Sequence, residues 1–264
     1  MTFPGALTEA VHDHPYPLLF ATISGAHLYG FPSPDSDWDL RGVHVLPARE
    51  VLGLLGGQDT VQLMNDPRLN HPQMAPYGTE IELDLVTHDV TKFFRLMLKR
   101  NGYVLEQLHS PLVVQTSPAH AELRALAARC VTRHHAHHYL GFSANQWRLF
   151  ARESPRRIKP LLYTFRTLLT GLHLMKTGEI QANLGLLNED ARLPYLDELM
   201  DQKRSGAEKE PFSGDVAFFE KEVQRLTRRL QEARDTSHLP GEVTPETTRA
   251  LSDLLVTVRL KDLP

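Results

Sequence analysis

Residues 24–43 read SGAHLYGFPSPDSDWDLRGV. A turn of small residues, Ser24-Gly25-Ala26, stands ahead of three aspartates packed into five positions, Asp35, Asp37 and Asp39. Carboxylates that close repel one another unless they face water or share a cation. In the stretch DWDLRGVHVLP the two-residue period of a strand turns Trp38, Leu40 and Gly42 to one face. Asp37, Asp39 and Arg41 then fall on the other. Asp35 belongs to the preceding turn, rich in Pro and Ser. Asp37 and Asp39 share a face with Cα atoms roughly 7 Å apart by the strand rise, a spacing that suits hard cations with oxygen ligands.

Around this strand, residues 17–114 alternate short β-like runs with turns. PLLFATISG reads as a helix end or a buried strand entering the glycine turn, and DTVQLMN as a second strand. TEIELDLVTH has clear alternation, with Ile81, Leu83 and Leu85 on one face and Glu82, Asp84 and Val86 on the other. Residues 66–79 carry three prolines and a glycine and read as a loop. Thr87 or Asp89 is placed to cap an amphipathic helix through Val90, Phe93, Phe94, Met97 and Leu98. A short helix before Pro111 and a strand at LVVQTS follow. After about residue 117 the pattern is helical: two helices expected to meet near Gly141, a long one ending at Gly178, and three more before residue 262. The fold class expected is α+β, a mixed sheet with helices over 1–115 followed by an all-α domain over 116–264.

The 264 residues allow one large domain or two modest ones. A formal net charge of -3 provides no global basic field, so any attraction for phosphates must be local. The single cysteine, Cys130, excludes an intramolecular disulfide framework and a multi-cysteine zinc ribbon. Cys130 lies in an apolar helical pattern and reads as a buried thiol. The N-terminal stretch lacks a basic start followed by an apolar run, and no stretch of about 18 apolar residues occurs. The expectation is a cytoplasmic protein without a membrane partner.

A D-x-D pair alone is more often a solvated turn or strand edge than a metal site. The glycine turn upstream and a further acid on a later strand raise the metal reading. Glycine lets backbone N–H groups approach a phosphate, and three carboxylates can hold two ions that activate a hydroxyl and neutralise pyrophosphate. Asp84 is the favoured third acid, with Glu82 on the same face as the alternative.

The stretch at 24–43 resembles the signature of the DNA polymerase β nucleotidyltransferase superfamily, a Gly-Ser turn before D-x-D. It is more similar to the RlaP group, also labelled YcgL-like, which is linked to RNA repair. DVTKFFRLMLKRNGYVLEQLHSP, including Asn101 and Glu106, resembles that group's segment after the third acid, and YLGFSANQW and LLTGLHLMKTGEI resemble its helical half. The resemblance spans roughly residues 17–190. It implies a polymerase-β-like palm with Asp37, Asp39 and Asp84 as catalytic and metal-holding residues. The cofactor implied is two magnesium ions, with manganese as a substitute. Asp84 would help deprotonate the acceptor hydroxyl, and Ser24, Gly25 and Ala26 would form the phosphate turn. Ala26 departs from the pattern, which has serine there. The partners implied are an NTP, an RNA end as acceptor, and repair partners such as an RNA ligase.

Arg41 can meet a triphosphate or pair with the neighbouring aspartates; the sequence favours neither. His27 and Tyr29 lie in the glycine turn, where pocket lining and local packing explain them equally. On the helix 155–177, Lys159, Tyr163, Arg166, Thr170 and His173 recur as one polar stripe. It holds cations without acids, so Lys159 and Arg166, with Arg152, Arg156 and Arg157 nearby, are candidates for triphosphate or RNA backbone. In RHHAHHYLGF, His134 and His138 are four apart, but no further ligand accompanies them and a zinc site is disfavoured. The function expected is Mg-dependent NMP transfer from an NTP to a hydroxyl of an RNA terminus. The alternatives are NMP transfer to a protein side chain, or a non-catalytic nucleotide or RNA binder that retains the fold.

Overall fold

The computed structural model describes residues 3–65, 82–206 and 211–261. The loop expected over 66–79 and the strand residue Ile81 lie outside them. The chain divides into two compact units. Unit 1 is 1–28, 37–130 and 243–264, and unit 2 is 29–36 and 131–242. The boundary expected at 115/116 falls within unit 1, and the chain returns to that unit for its last segment.

Unit 1 is built on a mixed sheet of β1 (Leu18–Ile23), β2 (Trp38–His44), β3 (Thr60–Asn65), β4 (Leu83–Asp89) and β5 (Val113–Gln115), in the order β3-β4-β2-β1-β5. Strands β2 and β4 run parallel at its centre, and the other pairs are antiparallel. Helix α1 (Gly5–His12) places Leu7, Ala10 and Val11 at helical spacing against Leu18, Ala21, Ile23, Leu40, Leu83 and Leu85. On the other face of β1, Phe20 meets Phe93 of α4 (Val90–Leu98) edge-on at 5.6 Å. There the Thr22 hydroxyl also donates to the Gln107 carbonyl of α5 (Gly102–His109) at 2.8 Å. Both faces of β1 are therefore covered, and all six of its residues are buried. Of the two caps expected for α4, Asp89 serves: its Oδ1 accepts from Thr91 N at 2.9 Å. The short helix α3 (Ala48–Leu52), helix α6 (Pro118–Ala128) and the returning α12 (Pro245–Leu260) complete the unit.

The break between the first two helices after residue 117 is not at Gly141. Helix α6 ends at Ala128, and a 3-10 turn, Arg133–His135, is closed by a reciprocal cap between Thr132 and His135. Helix α7 (Ala136–Arg152) then runs through Gly141, where the helix is exposed and a side chain would meet open space. Helix α8 (Ile158–Thr177) ends at Gly178, whose φ of +80° is the left-handed conformation that suits glycine. Within the polar stripe expected on α8, Arg166 and Thr170 are buried along with Leu161, Phe165 and Leu168, while Lys159, Tyr163 and His173 are half-buried. The Arg166 guanidinium lies 4.0 Å from the centre of the Tyr29 ring, so burial is offset by contact with an aromatic face. Thr164 and Thr167 satisfy their hydroxyls on carbonyls four residues back. Helices α9 (Leu184–Ala191), α10 (Pro194–Ser205) and α11 (Val216–Thr236) pack around α8.

Candidate active site

The carboxylates gather where β2 and β4 run side by side. In the parallel register Asp39 faces Asp84, Leu40 faces Leu85, and Arg41 faces Val86. Leu40, Leu83 and Leu85 occupy the core face, so alternation turns Asp39, Arg41 and Asp84 to the opposite one. Asp37 stands one residue ahead of β2 and is half-buried. Glu82 stands one residue ahead of β4, exposed, and its carbonyl accepts from Trp38 N at 2.8 Å.

Arg41 organises the pair. Its Nη2 donates to Asp39 Oδ1 at 2.6 Å and to Asp84 Oδ2 at 2.8 Å. Its Nη1 donates to the carbonyls of Leu40 at 2.9 Å and Asp84 at 2.6 Å, and its Nε to the Tyr103 hydroxyl at 3.0 Å. A guanidinium has five N–H groups, and all five are used here. Arg41 is thus committed to the aspartates, one of the two roles left open by the sequence. Burial works against its charge, but Tyr103, Asp39 and Asp84 together outweigh that cost and raise its pKa further. Tyr103 was not singled out from the sequence. The signal available was its place two residues after Asn101, whose side chain caps α5 by accepting from Tyr103 N at 2.9 Å.

The glycine turn closes on the same carboxylate. Ser24 N donates to the Asp39 carbonyl at 2.8 Å, and Gly25 opens the short helix α2 (Gly25–Tyr29) with φ of +59°. A Cβ on Gly25 would lie 1.8 Å from Asp39 Oδ2, so glycine is required both by backbone conformation and by space. Ala26 is 3% exposed and packs as a core residue. His27 stacks on Trp38 with ring centres 3.8 Å apart, a packing role for a residue that could have lined a pocket.

Asp84 Oδ1 and the Ser24 hydroxyl are buried here with no hydrogen-bond partner among the described residues. An orphaned carboxylate oxygen beside a second carboxylate fits a hard cation, which takes oxygen ligands. Among the described residues no three His, Cys, Asp or Glu side chains are grouped to hold a metal. The arrangement offers Asp39 and Asp84 as neighbours, with Asp37 adjacent in sequence. Lys159 and Arg166 lie in unit 2 on α8, Lys159 half-buried in the first turn and Arg166 buried under Tyr29. Burial lowers the pKa of His138 to about 4, and Arg166 adds to the effect. No helix among the described residues is long and apolar enough to cross a membrane.

Protein MJ0002 of Methanocaldococcus jannaschii is 30% identical over 167 residues, 62% of this chain and 63% of that protein. The chain thus spans less than two thirds of that relative. YcgL of Bacillus subtilis is 26% identical over 245 residues, covering 89% of this chain and 88% of the relative. A solved nucleotidyltransferase-like protein from Exiguobacterium sibiricum aligns over 98% of this chain and 81% of its own, at 11% identity and a TM-score of 0.32. The model of the RlaP family, the RNA repair pathway DNA polymerase beta family, matches residues 2–257, and the chain belongs to that family of polymerase-β-like nucleotidyltransferases.

Proposed function

We propose that the protein transfers NMP from an NTP to a hydroxyl at an RNA terminus. The observation that carries this reading is the direct pairing of Asp39 with Asp84 on parallel strands, with Asp84 Oδ1 buried and unpartnered. Magnesium held by Asp37, Asp39 and Asp84, with manganese as a substitute, would acidify the acceptor hydroxyl and neutralise the departing pyrophosphate. The acceptor oxygen forms a bond to the α-phosphorus, the bond from that phosphorus to the bridging oxygen breaks, and pyrophosphate leaves. Asp84 takes the hydroxyl proton. Arg41 keeps both carboxylates in place through the reaction, because its five donors are already spent within the protein. Gly25 allows the turn to lie against Asp39, so the nucleotide's phosphates meet backbone instead of a side chain. Glu82 remains outside this reading because it is exposed. Lys159 and Arg166 have no assigned part in it.

RNA as acceptor is supported by the family's description, RNA repair pathway. The test is incorporation of label from each NTP into RNA ends with magnesium, beside an Asp37→Ala/Asp39→Ala protein. Label on RNA that depends on the aspartates is expected; equal incorporation by both proteins would remove the assigned site.

A further inference from the structure

Helix α7 carries no acidic residue in its 17 positions, AHHYLGFSANQWRLFAR. Together with α11 it borders an open groove of about 900 Å³, all of it within unit 2. On α7 the bordering positions run from Leu140 to Arg152, and on α11 from Glu220 to Gln231, each at three- and four-residue spacing. By helix rise that is a path roughly 18 Å long. Small side chains at Ser143, Ala144, Ala151 and Thr227 keep it open.

Its chemistry is cationic and aromatic. Arg148, Arg152 and Arg228 line it and are exposed, against one carboxylate, Glu220. Among the described residues none of these three arginines has a carboxylate partner; Arg148 donates only to Asn145 Oδ1 at 2.9 Å. This differs from Arg157 and Arg225, which are paired with Glu153 and Glu222. Trp147, half-buried with its ring tilted against Phe150 at 5.4 Å, also lines the groove. Gln224 and Gln231 add amide donors and acceptors.

We propose that this groove docks single-stranded RNA, with a base stacked on Trp147 and phosphates on Arg148, Arg152 and Arg228. Unpaired arginines in a groove with one acid select a polyanion, and an indole among them selects one that carries flat rings. The choice of RNA over DNA rests on the acceptor in the proposed function. The groove itself takes no part in the chemistry.

Fluorescence anisotropy of the full chain with a labelled single-stranded RNA, over a salt series, tests the proposal. The variant Arg148→Gln/Arg152→Gln/Arg228→Gln alters exposed side chains. It should bind at least tenfold more weakly, with a salt slope shallower by about two. Trp147→Leu should cost about fivefold or more, and should abolish quenching of indole emission by RNA. Asp37→Ala/Asp39→Ala should bind RNA as the wild type does, which separates docking from catalysis. RNA bound through the groove without NMP incorporation supports the groove and counts against the proposed reaction. Incorporation into another acceptor with no RNA affinity overturns the groove. Unchanged binding by the triple variant overturns it as well, and equal competition by polyglutamate reassigns it to an acidic protein.

Discussion

Among its described residues unit 1 contains two arginine–aspartate clusters, and they differ in how their oxygens are used. Arg259 of α12 grips Asp89 with both terminal nitrogens at 2.9 Å, and it also donates to Thr91 Oγ1 and the Leu46 carbonyl. The same carboxylate accepts from Thr91 N and Leu46 N, so each oxygen of Asp89 has two donors. Around Arg41 the arginine is saturated but Asp84 is not. Asp84 Oδ1 has no partner among the described residues, and the close approach of Gly25 to Asp39 leaves no room there for a side chain. A closed cluster ties segments together. An open one retains acceptors for something absent from the chain, at the cost of leaving a buried oxygen unsatisfied.

The largest effect is expected at the open cluster. Asp39→Asn should lower NMP incorporation on the order of 10³-fold or more while leaving the urea midpoint within a few tenths molar; a fully active variant would show the open cluster to be structural. At the closed cluster, Arg259→Met leaves Asp89 buried and unpaired and should cost roughly 3–4 kcal/mol of unfolding free energy. Specific incorporation per folded molecule should remain, and its loss would erase the distinction. Gly25→Ala forces a left-handed residue and a Cβ into Asp39. About 2 kcal/mol of stability and roughly 10²-fold in activity should be lost together, measured by urea titration and turnover.

Magnesium separates the clusters without relying on activity. The wild type and Arg259→Met should gain about 1–3 kcal/mol of stability at saturating metal, seen as a rise of a few degrees in melting temperature, and Asp39→Asn should gain none. The smallest effect is in pH. Burial lowers the pKa of His44 to about 4, opposed by its bond to the Gln58 carbonyl, so the fold holds this ring neutral. Between about 6.5 and 4 the unfolded chain binds the extra proton, and stability falls as pH falls through that window. His109 and His138 shift the same way. Asp89 has its pKa lowered because Arg259, Leu46 N and Thr91 N outweigh its burial. The closed cluster therefore retains its charge over that range and weakens only below it. His44→Gln should flatten part of the acid slope in a series of thermal melts; an unchanged slope would assign it to other groups.

The sequence by itself determined the parts of this protein that repeat along the chain. Period-two alternation placed Asp39 and Arg41 on one face of β2 and paired Leu83 with Leu85 on the core side of β4. The pattern after residue 117 marked the long helices, and the 24–43 stretch carried the family. Periodicity says which face a residue takes, but not what stands opposite. For that reason the commitment of all five Arg41 donors, the pairing of Asp39 with Asp84 while Glu82 stays exposed, and the capture of α12 by Asp89 emerged only from tertiary structure. The same limit holds on α8. Lys159, Arg166 and Thr170 recur as one polar stripe, yet Arg166 and Thr170 are buried, Arg166 against Tyr29, and burial depends on such distant segments. The physical reason is common to all four cases: local patterns are set within a few residues of chain, whereas partners are set by contacts between segments far apart in sequence.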